Sequence, residues 1–166
     1  MSHLGLHLKE LYKYRELLWV LTAREIKVRY KQTSLGVLWA IIQPLSLMLI
    51  FTMVFSYFTK INSEGLPYPI FSYTALLPWT FFQTAVQFGS MSVVNNSGLV
   101  TKVWFPREIL PLSSLLAALV DFLIAGLLLI GLMIFYGTAI TPNIFWILLL
   151  IPLQMVITAG INFLLA

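Results

Sequence analysis

The chain has 166 residues, of which 60% are hydrophobic and 10% charged, with a net charge of +4 at pH 7 and no cysteine. A soluble globular domain carries roughly 25% charged residues, so water alone would not keep this chain dispersed. The missing thiols exclude disulfides, thiolate chemistry and cysteine-ligated zinc or iron–sulfur sites. Seven of the ten basic residues fall before Gln32 and almost none lie in the apolar stretches, which is a topology signal and not a nucleic-acid footprint.

Residues 1–34 form a predicted cytoplasmic segment. At 100° per residue, Leu4, Leu8, Leu11, Tyr14, Leu18 and Leu21 share one helix face, while Lys9, Lys13, Glu16 and Arg24 lie opposite. This pattern predicts an amphipathic helix lying in the membrane interface. Its basic residues would meet anionic lipid heads, and Tyr12, Tyr14 and Trp19 suit headgroup depth; a helix docked on a soluble partner is the alternative. His3 and His7 stand four apart, but no carboxylate motif accompanies them, and no metal site is expected.

A transmembrane domain is predicted over 35–166. From Leu35 to Phe58 there is no charge, and about 20 helical residues cross a 30 Å hydrocarbon core. A polar stretch from Thr59 to Gly65 separates this run from a second, over 69–94. Asn95 to Glu108 holds Asn-Asn-Ser-Gly, Lys102 and the punctuation Pro106-Arg107-Glu108, and a third span is predicted over 109–136, apolar except for Asp121. A tight turn at Gly137 to Asn143 leads to a fourth span over 144–166, so the sequence stops inside a hydrophobic run and is expected to be a fragment. Nine basic residues, those up to Lys31 plus Lys102 and Arg107, fall on one side of these spans against Lys60 alone on the other, which predicts a cytoplasmic N-terminus.

The run from Arg24 to Trp39, Arg-Glu-Ile-Lys-Val-Arg-Tyr-Lys-Gln-Thr-Ser-Leu-Gly-Val-Leu-Trp, followed by Gln43-Pro44-Leu45, resembles the approach to the first span in permeases of the polysaccharide and polyol-phosphate ABC exporter family. Leu76-Leu77-Pro78-Trp79-Thr80-Phe81-Phe82 follows that family's order and spacing, as do Asn96, Leu99-Val100, Lys102, Phe105-Pro106-Arg107, Leu110-Pro111 and Asp121. The resemblance runs from about Leu17 to the end. It implies an all-α integral membrane fold: an N-terminal interfacial helix followed by four transmembrane helices of an expected six. It further implies a homodimer in the bacterial inner (cytoplasmic) membrane that moves a lipid-linked glycan, such as O-antigen or capsule, or a teichoic-acid chain.

No G-x-x-x-x-G-K-S/T phosphate-cradling loop occurs in the 166 residues. The resemblance therefore implies a separate nucleotide-binding ATPase subunit carrying ATP and Mg, with no cofactor and no covalent chemistry in this chain. It implies that Arg24, Glu25, Lys27, Arg29 and Tyr30 form the lead-in segment at the interface. It also implies that Asn96, Leu99, Val100, Lys102, Val103, Trp104, Phe105 and Arg107 form a coupling helix. Asn96 or Ser97 can cap such a helix, Leu99, Val100, Val103 and Trp104 make an apolar stripe, and Pro106 ends it. Without the resemblance, the same segment reads as an interfacial turn anchored by Trp104 and Lys102.

Asp121, near the middle of the third span, carries a carboxylate whose burial costs about 2.5–3.5 kcal/mol and demands partners or water. It reads either as a functional residue or as a packing residue satisfied by Gln43, Gln83, Thr158 or Asn162. Proton- or ion-coupled transport through Asp121 is the alternative function. Pro78 should kink the second span, as a hinge or as a static bend, with Thr74 partly compensating. Trp79, Phe81 and Phe82 are candidates to line a sugar path, against the plainer role of facing lipid or neighbouring helices. Ala117, Ala118, Ala125, Gly126 and Gly131 permit close helix approach.

Overall fold

The computed structural model describes residues 13–31, 38–55, 66–138 and 145–166. The His3–His7 pair, the apolar positions Leu4, Leu8 and Leu11, and the turn over 139–143 lie outside the described residues. Among the described residues all regular structure is helical: α1 (Arg15–Lys31), α2 (Trp39–Val54), α3 (Tyr68–Ser90), α4 (Ser92–Asn95), α5 (Ser97–Val100), α6 (Ile109–Phe135) and α7 (Phe145–Leu165).

Local chemistry explains the boundaries. Pro67 and Pro69 open α3, and Pro111 sits in the first turn of α6, where a backbone N–H has no intrahelical partner to lose. Helix α6 closes in a Schellman motif: Thr138 N–H donates to the Met133 carbonyl at 3.0 Å and Gly137 N–H to the Ile134 carbonyl at 3.2 Å. That closure needs Gly137 at φ 64°, a left-handed conformation that glycine adopts without steric cost. The hydroxyls of Thr22, Ser46, Thr74 and Thr158 each donate to the carbonyl four residues back, satisfying themselves inside their own helices.

Among the described residues, α6 and α7 are each long and apolar enough to cross a membrane. Helix α3 has 23 residues but interrupts its apolar surface with Gln83 and Gln87, and the described part of α2 has 16 residues. The predicted second span, 69–94, is in fact divided: α3 stops at Ser90 and Met91 turns the chain into the separate short helix α4.

Helix α6 is the axis of the fold. Its first residues, Ile109 and Leu110, are buried with Leu21 of α1 and Phe105. One to two turns on, Leu115 and Ala118 pack on Phe81 and Ala85 of α3, with Met155 and Ala159 of α7 alongside. Further still, Ala125 joins Met48 of α2 and Tyr73 and Leu77 of α3. The pairings fix direction. Tyr73 donates its hydroxyl to the Ala125 carbonyl at 3.0 Å while Ala85 meets the Leu115 end, so α3 and α6 are antiparallel. Gln154 Nε2 donates to the Pro78 carbonyl at 2.6 Å and Asn162 Nδ2 to the Ala85 carbonyl at 3.1 Å, so α7 runs parallel to α3.

Of the small residues expected to allow close approach, Ala117, Ala118 and Ala125 are buried within the chain, whereas Gly126 and Gly131 have open space where a Cβ would stand. Among the described glycines, Gly89 is the one that packing requires: an added Cβ would lie 2.3 Å from Asn162 Nδ2. Pro78 lies inside the unbroken helix α3; the Thr74 hydroxyl bonds the Ile70 carbonyl, and the Pro78 carbonyl accepts from Gln154 of α7.

Candidate functional site

The charged residues ahead of the first span and the polar connection between α3 and α6 meet at one end of the bundle. The Tyr14–Leu18–Leu21 face of α1, expected to rest in lipid, packs instead within the chain on Phe105, Ile109 and Leu110, together with Leu17. Trp19, 70% exposed, lies on the outer side with Val20, Lys27 and Lys31.

Helix α1 lies alongside α6 in the same direction, with Leu21 at Leu110, Glu25 at Ser114, and Arg29 and Tyr30 at Asp121. Ser114 donates its hydroxyl to Glu25 Oε1 at 2.7 Å, leaving Oε2 buried without a partner. Burial raises the Glu25 carboxyl above its ordinary value, and the Ser114 hydrogen bond and the positive charges of Arg29 and Arg24 only partly offset this.

Asp121 accepts from both the Arg29 guanidinium and the Tyr30 hydroxyl. Its partners are thus lead-in residues of α1 and not the polar residues of the spans. Thr158 and Asn162 are engaged with backbone carbonyls, Gln83 is exposed, and Gln43 lines the same cavity as Asp121. Burial and the neighbouring Asp121 carboxylate push the Tyr30 phenol above its ordinary range, so Tyr30 is a donor.

A half-open cavity of about 340 Å³ surrounds this triad, walled by Trp39, Gln43 and Pro44 of α2, by Thr80, Thr84, Gln87 and Phe88 of α3, and by Ala118 and Phe122 of α6. The Arg29 guanidinium lies 4.3 Å from the Phe88 ring centroid, and cations are attracted to ring faces at this range. Asp121 is central in α6, but Trp39 and Gln43 belong to the first two turns of α2, and Thr84 to Phe88 to the last two of α3. The carboxylate therefore sits near the ends of its neighbours, because α6 runs about 18 Å, at 1.5 Å per residue, before reaching it.

Of the other conduit candidates, Phe81 is nearly buried, forms part of the cavity wall and meets Phe122 edge-on at 5.4 Å. Trp79 is 59% exposed and tilted against half-buried Phe82; with Pro78, both lie outside the cavity lining.

The connection between α3 and α6 is two single turns broken at Asn96. Neither α4 nor α5 has a side-chain cap at its N-terminus, contrary to the capping role expected of Asn96 or Ser97. The Asn96 side chain is committed elsewhere: Nδ2 donates to the Ser92 carbonyl at 2.8 Å, and Oδ1 accepts from Arg24 Nη1 at 3.1 Å. The apolar stripe is divided as well. Leu99 and Val100 pack inward on the Leu21 cluster and Phe105 is 7% exposed, whereas Val103 and Trp104 are 53% and 80% exposed, beside exposed Lys102 and Arg107. Sequence reasoning named Arg29, Tyr30 and Asp121 separately and missed their union. The available signal was charge balance, since a carboxylate in an apolar helix needs a cation and most cations lie in one preceding segment.

Among the described residues, wholly helical regular structure, long apolar helices and charge gathered at one end of the bundle define a helical membrane protein. It belongs to the ABC-2 type transporter family, whose sequence profile matches residues 16–166. The chain is 33% identical over 159 residues to the O-antigen export system permease protein RfbA of Myxococcus xanthus, covering 95% of this chain and 60% of that protein. It is 30% identical over 132 residues to a protein of the same name from Klebsiella pneumoniae, covering 80% and 49% of the two chains. It is also 29% identical over 102 residues to the polysialic acid transport protein KpsM of Escherichia coli, covering 61% and 38%. The chain thus spans 60% or less of the lengths of these relatives.

Proposed function

We propose that the chain is part of the membrane permease of an ATP-driven exporter that moves a lipid-linked polysaccharide or polyol-phosphate chain across a bacterial inner membrane. The permease acts as a homodimer with its N-terminus in the cytoplasm, and a separate ATPase subunit holds ATP and Mg. In this reading α2, α3, α6 and α7 are the first four spans of six. The antiparallel pairing of α3 with α6 and the parallel pairing of α3 with α7 support that alternation. Substrate class is argued from the relatives' names, O-antigen export and polysialic acid transport.

The observation that carries the reading is the connection between α3 and α6. It buries Phe105 and exposes Val103 and Trp104, so an apolar pair stands on a fixed base at the end of the bundle where α1 gathers its positive charge. A groove on a soluble partner can take such a pair and move the bundle through it. Proton-coupled transport through Asp121 is disfavoured, because a carboxylate held by a guanidinium and a phenol is committed to a fixed ion pair. The test is purification of the full-length protein in mild detergent. A stoichiometric ATPase that stays bound, and whose activity rises with lipid-linked glycan, is the expected result. Reproducible absence of any ATPase removes the reading.

A further inference from the structure

A second cavity, of about 520 Å³, opens at the end of the bundle where α1 meets the α3–α6 connection. Its volume falls within the roughly 300–1,000 Å³ of ordinary ligand pockets. Phe88 in the last turn of α3, Asn95 at the end of α4 and Leu110 in the first turn of α6 line it, so it sits at the level where the long helices stop. Arg29 and Phe88, in contact with each other, are shared by the walls of both cavities.

The charged residues of its lining are Arg24, Arg29 and Glu25, two guanidiniums against one carboxylate. Arg24 gives Nη1 to Asn96 and Arg29 gives Nη1 to Asp121. A guanidinium carries five N–H donors in a planar fork, so each arginine keeps donors for a further oxygen acceptor. Glu25 offers nothing comparable to a cation, because Oε1 takes the Ser114 hydroxyl and Oε2 is buried. The cavity therefore suits an anion and lacks an open carboxylate for an ammonium group. Val28 and Phe88 add exposed apolar surface to the same lining, which a fully hydrated anion would not use. Anionic and apolar chemistry side by side is that of a lipid at the level of its headgroup, and basic pockets among membrane helices on the cytoplasmic side hold anionic lipid heads.

We propose that this cavity binds an anionic glycerophospholipid of the surrounding bilayer, whose phosphodiester is held by Arg24 and Arg29 and whose acyl chains leave along Val28 and Phe88. The lipid is a resident of the membrane and not the exported chain. The proposal rests on the exporter reading only for placing this end of the bundle at the cytoplasmic headgroups. A single phosphodiester charge balances the excess of one positive charge in the lining. Trp19, exposed on the outer side of α1, suits the same headgroup depth.

The experiment uses the full-length protein, stripped of lipid in mild detergent and titrated with phosphatidylglycerol or phosphatidylethanolamine of identical acyl chains. Native mass spectrometry counts the lipid retained per chain. One phosphatidylglycerol per chain is expected, in preference to phosphatidylethanolamine, and its binding should raise the melting temperature by mass action. Arg24→Ala should weaken retention about tenfold or more, the factor set by one charge-assisted hydrogen bond, and Arg24→Lys should recover part of it. Val28→Glu places a negative charge at an exposed position of the lining, so it should abolish retention while leaving the lipid-free melting temperature unchanged. Lys31→Ala, on the outer side of the same helix, should retain lipid as the parent does. Equal retention of the two lipids, or phosphatidylglycerol retention unchanged in both Arg24→Ala and Val28→Glu, overturns the proposal. Displacement of phosphatidylglycerol by inorganic phosphate would mark a site for soluble anions, and displacement by lipid-linked glycan a station on the export path; either result also overturns it. The lipid count is read without the ATPase, so failure to recover that subunit removes the exporter reading and leaves this result to be judged by itself.

Discussion

Arg29 and Asp121 lie 92 positions apart in the chain and form an ion pair, with side chains only 18% and 23% exposed. The pair fastens the segment before the first span to the third long apolar helix, and Tyr30 supplies a second donor to the same carboxylate. Removing one partner strands a charge that is largely shielded from water, whereas removing both does not. Asp121→Ala should therefore lower stability by about 2 kcal/mol, less than the loss for a fully buried pair, and Arg29→Met/Asp121→Leu should recover most of it. Thermal unfolding in one detergent compares the three proteins. A double variant as unstable as the single one would mean that the pair is not a closed unit.

Glu25 sets a pH dependence. Its carboxyl is raised in the folded chain, chiefly by burial, so the folded state binds its proton more tightly than the unfolded state does. The sign follows: this contribution to stability is complete below the ordinary value of 4.5 and is lost as pH rises through the elevated folded value. Glu25→Gln, which stays neutral and can still accept from Ser114, should match the parent protein at low pH and exceed it in melting temperature above that window. Parallel melting curves at every pH would contradict the assignment.

The approach of α7 to α3 depends on Gly89. A Cβ there would stand 2.3 Å from Asn162 Nδ2, and the Asn162 side chain, wholly buried, has little room to withdraw. Gly89→Ala should cost roughly 1–3 kcal/mol, the usual scale of overpacking. Adding Asn162→Ala should relieve the clash, although it gives up the hydrogen bond to the Ala85 carbonyl. Equal melting temperatures for the parent and Gly89→Ala would show that the helices separate there freely.

The divided apolar stripe predicts two different phenotypes. Val103→Ser/Trp104→Ser alters exposed side chains, so it should leave the melting temperature nearly unchanged while reducing recovery of a bound ATPase. Leu99→Ser opens the cluster around Leu21, Phe105 and Ile109, and should lower the melting temperature directly. Retention of the ATPase by the Val103/Trp104 variant would move the docking surface elsewhere.

The readable part of the fold was the part governed by local pattern. Ile109–Phe135 and Phe145–Leu165 follow the predicted apolar runs closely, because an uninterrupted run must satisfy its backbone within itself wherever it lies in lipid. The break after Ser90 was not readable, since 69–94 shows no strong breaker at Met91 and the chain turns there to bring Val93 and Asn96 against the start of α6 and against α1.

By itself, the sequence determined the helical membrane character of the chain, the clustering of its cations ahead of the first span, and the family resemblance across the lead-in and connecting segments. Composition and spacing along the chain settle these, and they need no knowledge of neighbours. Only the tertiary structure decided which cations reach Asp121, that the Asn96 side chain bonds Arg24 and the end of α4 and leaves the start of α5 without a side-chain cap, and that the face of α1 expected in lipid packs on Phe105 and Ile109. Those outcomes depend on the parallel placement of α1 beside α6. A helical face specifies that it will be buried, but what buries it is fixed by how distant helices pack.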